Sequence, residues 1–144
     1  MHRKVAAALV AALALGVASC GGSDEQLTRA QVVRRIETAC RQAQARTQEA
    51  SRSARGQESF FTAVLAGQRH LTSEVEGIEA PDEMADEIDT LKSSLAERTD
   101  VVAEVAEKSR AEQQRALSAA SDKIGTATRN AEAVFRRLGI RGCS

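Results

Sequence analysis

Residues 84–105 read MADEIDTLKSSLAERTDVVAEV, and their apolar side chains recur at alternating steps of four and three residues. This spacing places one apolar stripe along the face of an α-helix. Arg98 occupies the single stripe position that lacks an apolar residue. The segment therefore predicts a helix that buries one face against neighbouring helices. The apolar members of the stripe are Met84, Ile88, Leu91, Leu95, Val102 and Val105.

Three more stripes with similar spacing occupy most of the remaining chain. The sequence has one Pro, three Phe and neither Trp nor Tyr, which favours helix almost throughout. Four amphipathic segments with short connections predict an all-α fold, an up-down-up-down four-helix bundle. The stripes are rich in Ala and Val, so we expect close helices with little internal volume. The first stripe is Val33, Ile36, Cys40, Ala43, Thr47, Ala50 and Ala54; the second is Phe61, Val64, Gln68, Leu71, Val75 and Ile78; the fourth is Leu117, Ala120, Ile124, Ala127, Ala131, Val134 and Leu138.

Local signals mark most helix ends. Thr28 and Gln31 have the spacing of a capping box at the start of the first helix. Gly56 suits a left-handed helix end, and Pro81 separates the second helix from the third. The last helix is expected to end at Gly139, with the following isoleucine packing back onto the helix.

The third and fourth stripes are out of phase. Extending the third stripe places the polar Ser109 and Glu112 at core positions, so we predict a turn between residues 107 and 114, although no Gly or Pro marks it. A single long helix with a local stutter is the alternative. Gly67 and Gly125 lie inside predicted helices, where we expect them to permit close helix–helix approach.

The N-terminus has the layout of an export signal. Basic residues at positions 2–4 precede an uncharged apolar run, residues 5–17, which is shorter than the roughly 20 residues of a membrane-spanning helix. The sequence Val-Ala-Ser-Cys at positions 17–20 resembles the lipobox of bacterial lipoproteins. The resemblance implies a signal peptide (1–19), a diacylglyceryl group on Cys20, a flexible tether (20–27) and a helical domain (28–144). A plain secretory signal that is cut near a cysteine is the alternative.

Two further motifs extend this resemblance. Residues 71–81 have the form Leu-x6-Ile-x-Ala-Pro, and residues 138–143 read LGIRGC. Both are similar to sequences of small actinobacterial lipid-anchored helical-bundle proteins of unknown function. The resemblance implies a fold and a location at the outer face of the cytoplasmic membrane, and it brings no activity with it.

Cysteine and charge content limit the classes of function. Removing residues 1–19 from the 144-residue chain leaves 125 residues with 18 basic and 20 acidic side chains, so the net charge is about −2 and non-specific nucleic-acid binding is disfavoured. Cys40 and Cys143 then remain as an even pair in an oxidising compartment, which predicts a disulfide. Two buried free thiols or a metal site are the alternatives, and a single mature histidine argues against the metal.

No enzymatic signature is present in the sequence. It lacks a glycine-rich phosphate loop, a His-Glu-x-x-His motif, a nucleophile elbow and EF-hand spacing. His70 lies off its helix stripe and four residues before Glu74, which predicts an exposed ion pair. Residues 82–89 contain several acids, but Met84 and Ile88 take the core positions of this segment. The acids are therefore predicted to form a solvent-exposed face. We therefore expect no catalytic residue, no metal and no cofactor.

Charge is unevenly distributed along the chain. Residues 27–56 contain seven Arg and two acids, residues 57–107 contain thirteen acids and three basic residues, and residues 108–142 contain eight basic residues and three acids. In a four-helix ring the first and fourth helices are neighbours, which predicts a positive flank and an opposite negative flank. Ion pairs between neighbouring helices explain part of this pattern. The functional interpretation is contact with anionic lipid at the tethered base. The arginines expected there are Arg29, Arg34, Arg35, Arg136, Arg137 and Arg141.

Two functions follow as hypotheses. The first is a non-enzymatic envelope lipoprotein, a helical interaction module whose acidic flank, around Glu74, Glu76, Glu79, Asp86 and Asp89, faces an envelope protein or polymer. The alternative is a carrier or sensor that binds a small apolar ligand between its helices. Internal volume discriminates between them, because a carrier needs about 300 Å³ or more. The sequence leaves the oligomeric state open.

Overall fold

The computed structural model describes residues 26–53 and 57–143. They form four α-helices, α1 (Arg29–Ser53), α2 (Gln57–Glu76), α3 (Ala85–Ala106) and α4 (Arg110–Leu138), with a short 3₁₀ turn at Asp82–Met84. This part of the chain contains no β-strand. The predicted all-α fold with four helices is therefore confirmed. The predicted signal peptide, Cys20 and most of the tether lie outside the described residues.

Reciprocal hydrogen bonds cap the start of α1. The backbone N–H of Thr28 donates to Oε1 of Gln31 at 2.7 Å, and the backbone N–H of Gln31 donates to the Thr28 hydroxyl at 3.3 Å. These bonds satisfy donors that have no partner within the helix. The predicted capping box is confirmed.

A second capping box separates α3 from α4. The backbone N–H and the hydroxyl of Ser109 both donate to the Glu112 carboxylate, at 3.2 and 2.6 Å. Hydrogen bonds from the hydroxyl and the N–H of Ser109 lower the pKa of Glu112. The fully buried Gln113 donates through Nε2 to the carbonyl of Lys108 at 3.1 Å. The predicted turn is confirmed, and the Ser-x-x-Glu spacing is the sequence signal that marks it.

The C-terminal end of α4 is a Schellman motif. Gly139 adopts a left-handed conformation with φ of 74°, which a residue with a side chain adopts at a cost. The backbone N–H of Ile140 donates to the carbonyl of Phe135 at 2.9 Å, and the Ile140 side chain is buried. Because of this turn, the chain folds back onto the bundle as predicted.

One core joins parts of all four helices. The first part of α1, the last part of α2, the first part of α3 and the last part of α4 contribute to it, together with three residues of the connections. Its members are Val32, Ile36, Ala39, Cys40, Ala43, Leu71, Val75, Ile78, Met84, Ile88, Leu91, Leu95, Ala131, Val134, Phe135, Leu138 and Ile140.

The first half of α4 is less buried than its stripe predicts. Leu117, Ala120 and Ile124 are only half-buried, whereas Ala127 and the later stripe members are buried. Among the described helices, α3 is the only one that packs closely against α4. The first half of α4 therefore has one close helical neighbour instead of two.

The closely packed helix pairs are α1 with α2, α2 with α3, and α3 with α4. The described parts of α1 and α4 do not form such a close pair. Each basic helix instead packs closely on an acidic one. The apolar residues of α1 and α4 still share the core, because side chains fill the wider space between these helices.

Gly67 lies at the closest approach of α1 and α2. A Cβ atom at this position would lie 2.8 Å from the carbonyl oxygen of Ala43 and would also overlap the side chain of Thr47. At Gly125 a Cβ atom would meet only the end of the Arg129 side chain, at 3.2 Å. The prediction of close helix–helix approach is therefore confirmed at Gly67 and wrong at Gly125.

These two glycines form a matched pair for a stability test. Gly67→Ala should lower the free energy of unfolding by about 1–3 kcal/mol, because the backbone of α1 must move. Gly125→Ala should raise it by about 0.5–1 kcal/mol, because alanine is the better helix former and the Arg129 side chain can turn away. Urea denaturation of a soluble form, residues 23–144, measures both, since this form retains the whole core. A Gly67→Ala protein as stable as the original would contradict the close approach.

Candidate functional site

Cys40 and Cys143 are joined as a disulfide, with their Cα atoms 5.3 Å apart. Cys40 is buried on α1, and Cys143 lies in the segment that follows α4. Nearby, Nε2 of Gln44 donates to the carbonyl of Gly142 at 2.9 Å. The predicted pairing is therefore seen, and it holds the end of the chain against the middle of α1.

An open groove of about 520 Å³ lies beside this disulfide. Its apolar wall includes Ala43 of α1, Val64 and Leu71 of α2, and Cys143. The groove is open to solvent and is not an enclosed internal cavity. The groove is within the size range of small-molecule sites and exceeds the volume that a carrier needs.

Three polar residues of the stripes line the same groove. Thr47, Gln68 and Arg98 occupy stripe positions of α1, α2 and α3, and all three are half-buried. Apolar residues at these positions would fill the space between the helices. The polar side chains at these positions are only half-buried, and the stripes do not close at this level.

Two of these polar side chains lack partners for buried atoms. Oε1 of Gln68 and Nε of Arg98 are shielded from solvent and make no hydrogen bond with any described residue. An unsatisfied buried polar group costs about 1–3 kcal/mol. Burial lowers the pKa of Arg98, and the nearby Glu132 carboxylate acts in the opposite direction without forming an ion pair. The groove therefore presents a partly desolvated guanidinium group with unused hydrogen-bonding capacity.

The six arginines predicted to contact an anionic surface are all exposed. Arg29, Arg34 and Arg35 belong to the part of α1 that contributes to the core, and the other three belong to the last part of α4 and the segment after it. Of these six, only Arg136 forms an ion pair with a described residue, Glu132 of the same helix at 3.9 Å. The core therefore brings two groups of largely unpaired arginines to one end of the molecule.

Acidic residues border the same core. Ile78 and Met84 anchor the connection between α2 and α3 in it, and Glu79, Asp82 and Glu83 are exposed along this connection. This end of the molecule therefore carries both signs of charge. Between helices, the described residues contain one ion pair of a basic and an acidic side chain, Lys123 with Glu97 at 4.0 Å, and both are exposed. Ion pairing between helices thus accounts for little of the charge pattern.

His70 is less exposed than predicted. Its side chain is 15% exposed, one ring nitrogen lies 3.0 Å from Oε1 of Gln42 on α1, and the other lies 3.9 Å from Glu74. The predicted contact with Glu74 is seen, but His70 itself is mostly buried and also links α2 to α1.

The described residues contain no group of three or more His, Cys, Asp or Glu side chains placed to hold a metal ion. None of the described helices has both the length and the apolar character required to cross a membrane.

Comparisons with known proteins identify no relative. No protein-family model matches the chain, and searches of curated proteins and of solved structures find no match. The resemblance to lipobox-containing actinobacterial proteins therefore stays a prediction. The groove was missed by the sequence analysis, although the polar residues at three stripe positions were the signal that could have indicated it.

The disulfide should contribute strongly to stability because it links residues 103 apart in sequence. Replacing Cys143 with Ser in the soluble form should lower the free energy of unfolding by about 2–5 kcal/mol, since the unfolded chain gains freedom. Thermal unfolding measures the loss, and a reductant should lower the melting temperature of the original protein but not of the variant. Two reactive thiols in the original protein, unfolded without reductant, would contradict the pairing.

Proposed function

We propose that the protein is a non-enzymatic cell-envelope lipoprotein, an up-down-up-down helical module anchored to the outer face of the cytoplasmic membrane. The export signal is removed before Cys20, and a diacylglyceryl group on this cysteine carries the anchor. Residues 20–27 form a tether to the domain. The core contains the first parts of α1 and α3 together with the last parts of α2 and α4, and this alternation supports the up-down arrangement.

The observation that carries this proposal is the group of exposed arginines near the start of α1. Arg29 follows the tether directly, so a short tether keeps this end of the domain close to the lipid head groups. Each Arg near an anionic surface contributes up to about 1 kcal/mol. Acidic residues of the 77–84 connection border the same core and would be repelled by anionic lipid. We therefore propose that the arginine-bearing side, rather than the whole end, faces the membrane, and that the acidic side faces an envelope protein or polymer.

A second candidate function is supported by the groove. Its volume of about 520 Å³ lies in the size range of small-molecule sites, which favours a carrier or sensor. The two functions are compatible, because the groove lies between α1 and α2 and includes none of the six arginines. A lipid-anchored protein can therefore present a ligand site at the membrane surface.

The lipid anchor is tested by Cys20→Ser in the full chain. The variant should lose acyl labelling and remain as unprocessed precursor or as released protein, because the acyl group is attached through the cysteine sulfur. Metabolic labelling with an alkyne fatty acid, followed by cell fractionation, measures both properties. Labelling that persists on the variant would refute the anchor.

The arginine contact is tested with the soluble form and anionic vesicles. The original protein should bind weakly at low salt and dissociate as the screening length falls from about 30 Å to about 8 Å. Changing Arg34, Arg35, Arg136 and Arg137 to Gln should abolish binding and preserve helicity, because glutamine is also a good helix former. Co-sedimentation measures binding, and circular dichroism measures helicity.

The chain offers a control with the same change in net charge. The control variant changes four other exposed arginines, which lie in the second half of α1 and the first half of α4. They are Arg46, Arg52, Arg110 and Arg115. Changing these residues to Gln should leave vesicle binding largely intact. Equal loss of binding in both variants would show that net charge, and not the arginine side, determines the interaction.

A further inference from the structure

We propose that the groove between α1 and α2 binds an amphiphile with a single carboxylate head group, and that Arg98 and Gln68 recognise the head group. This inference deepens the second candidate function by naming the ligand class. It rests on three polar residues, Thr47, Gln68 and Arg98, which come from three different helices and line the same groove. Most of the other α2 residues that line the groove are apolar.

Arg98 has the properties of a carboxylate-binding residue. Its Nε is buried and unpartnered, and no described residue forms an ion pair or a hydrogen bond with its guanidinium group. A guanidinium group can donate through its two terminal nitrogens to the two oxygens of one carboxylate. Glu132 does not occupy this position, because its carboxylate is paired with Arg136 on the exposed side of α4.

Gln68 completes the polar end of the groove. Its side chain makes no hydrogen bond with the described residues, and its Oε1 is buried. Rotation of the amide by half a turn presents Nε2 instead, which can donate to a carboxylate oxygen. The Thr47 hydroxyl lines the same groove and can also donate. A carboxylate could thus accept hydrogen bonds from side chains of three different helices.

The charge of the groove selects the class of head group. Among the described residues that line it, Arg98 is the only charged one. A carboxylate carries one negative charge and matches a single guanidinium group. A phosphate monoester carries about −1.5 to −2 at neutral pH and would bring excess negative charge into a partly desolvated site. A neutral alcohol would offer the Arg98 guanidinium group no charge-assisted hydrogen bond.

The apolar wall accounts for the rest of the ligand. Val64 is half-buried, and Leu71 and Ala43 border the same space. An alkyl chain laid against Val64 would remove its remaining exposed surface from water, whereas Leu71 and Ala43 are already buried. Because the groove is open along one side, a chain longer than the groove can extend into solvent or lipid.

The alternative role for Arg98 is purely structural, and it predicts a different response to substitution. The residue occupies a stripe position, so leucine at this site should pack against its apolar neighbours and remove a desolvated charge. Arg98→Leu should therefore keep or raise the melting temperature. A residue that stabilises the fold through its charge would lower the melting temperature when it is replaced.

The test uses decanoate, decanol and decyl phosphate as probes, each added to the soluble form below its aggregation concentration. Heteronuclear NMR follows the Nε–H signal of Arg98 and the backbone signals of α1 and α2 during each titration. Decanoate should shift the Arg98 signal and bind about tenfold or more tightly than decanol, because charge-assisted hydrogen bonds add to the affinity. Decyl phosphate should bind more weakly than decanoate.

Two variants and a control complete the experiment. Arg98→Leu should abolish the preference for decanoate over decanol and retain the fold. Gln68→Leu should weaken decanoate binding by a smaller factor, because it removes a neutral donor. Arg115→Leu changes the net charge equally on an exposed part of α4 and should leave decanoate binding unchanged.

The proposal is overturned if decanoate and decanol bind equally, if neither binds, or if decyl phosphate binds more tightly than decanoate. It is also overturned if Arg98→Leu binds decanoate like the original protein or unfolds at a lower temperature. None of these results bears on the lipid anchor, because the soluble form lacks Cys20. Loss of the anchor hypothesis in the labelling experiment would likewise leave the groove result standing.

Discussion

The disulfide between Cys40 and Cys143 is the constraint on which the arrangement of the molecule depends. Helices α1 and α4 share a core but do not pack closely, so their connection at this level is covalent. The bond holds the segment after α4 against α1, where Gly142 accepts a hydrogen bond from Gln44. It also places Cys143 at the edge of the groove. One crosslink therefore fixes the end of the chain and one border of the candidate site.

The groove lies where α1 and α2 approach each other closely and where polar residues replace apolar ones in three of the helix stripes. At Gly67 the absence of a side chain lets α1 approach α2 closely. Next to this contact, Thr47, Gln68 and Arg98 occupy positions that apolar residues fill elsewhere in the stripes. Polar groups of this size resist complete burial without partners. The same positions that interrupt the apolar pattern thus create the space in which a ligand can satisfy them.

Charge is arranged differently from the simple picture of two opposite flanks. Each basic helix packs closely on an acidic one, yet few side chains of opposite charge come within ion-pairing distance in the described residues. Exposed ion pairs contribute little to stability in any case. The exposed arginines of α1 and α4 are therefore available for external contacts. In the proposed membrane contact, the acidic connection between α2 and α3 would limit which side of the domain can face anionic lipid.

The sequence by itself determined the helical elements and the disulfide pairing. Capping residues such as Thr28 and Gly139 act locally, so short stretches of sequence are enough to place these helix ends. The disulfide prediction assumed in addition that Cys20 carries lipid, which left Cys143 as the intramolecular partner of Cys40. The N-terminal lipobox remains a prediction from the sequence alone. The tertiary structure decided which helices lie close together, why Gly67 permits a close approach and Gly125 does not, and that Arg98 lines a groove with one unpartnered donor and one unpartnered acceptor. Periodicity shows which face of a helix is buried, but the distance between two helices depends on the combined volumes of all the side chains between them. That distance decides whether a polar residue on a stripe becomes a packing defect or a binding site.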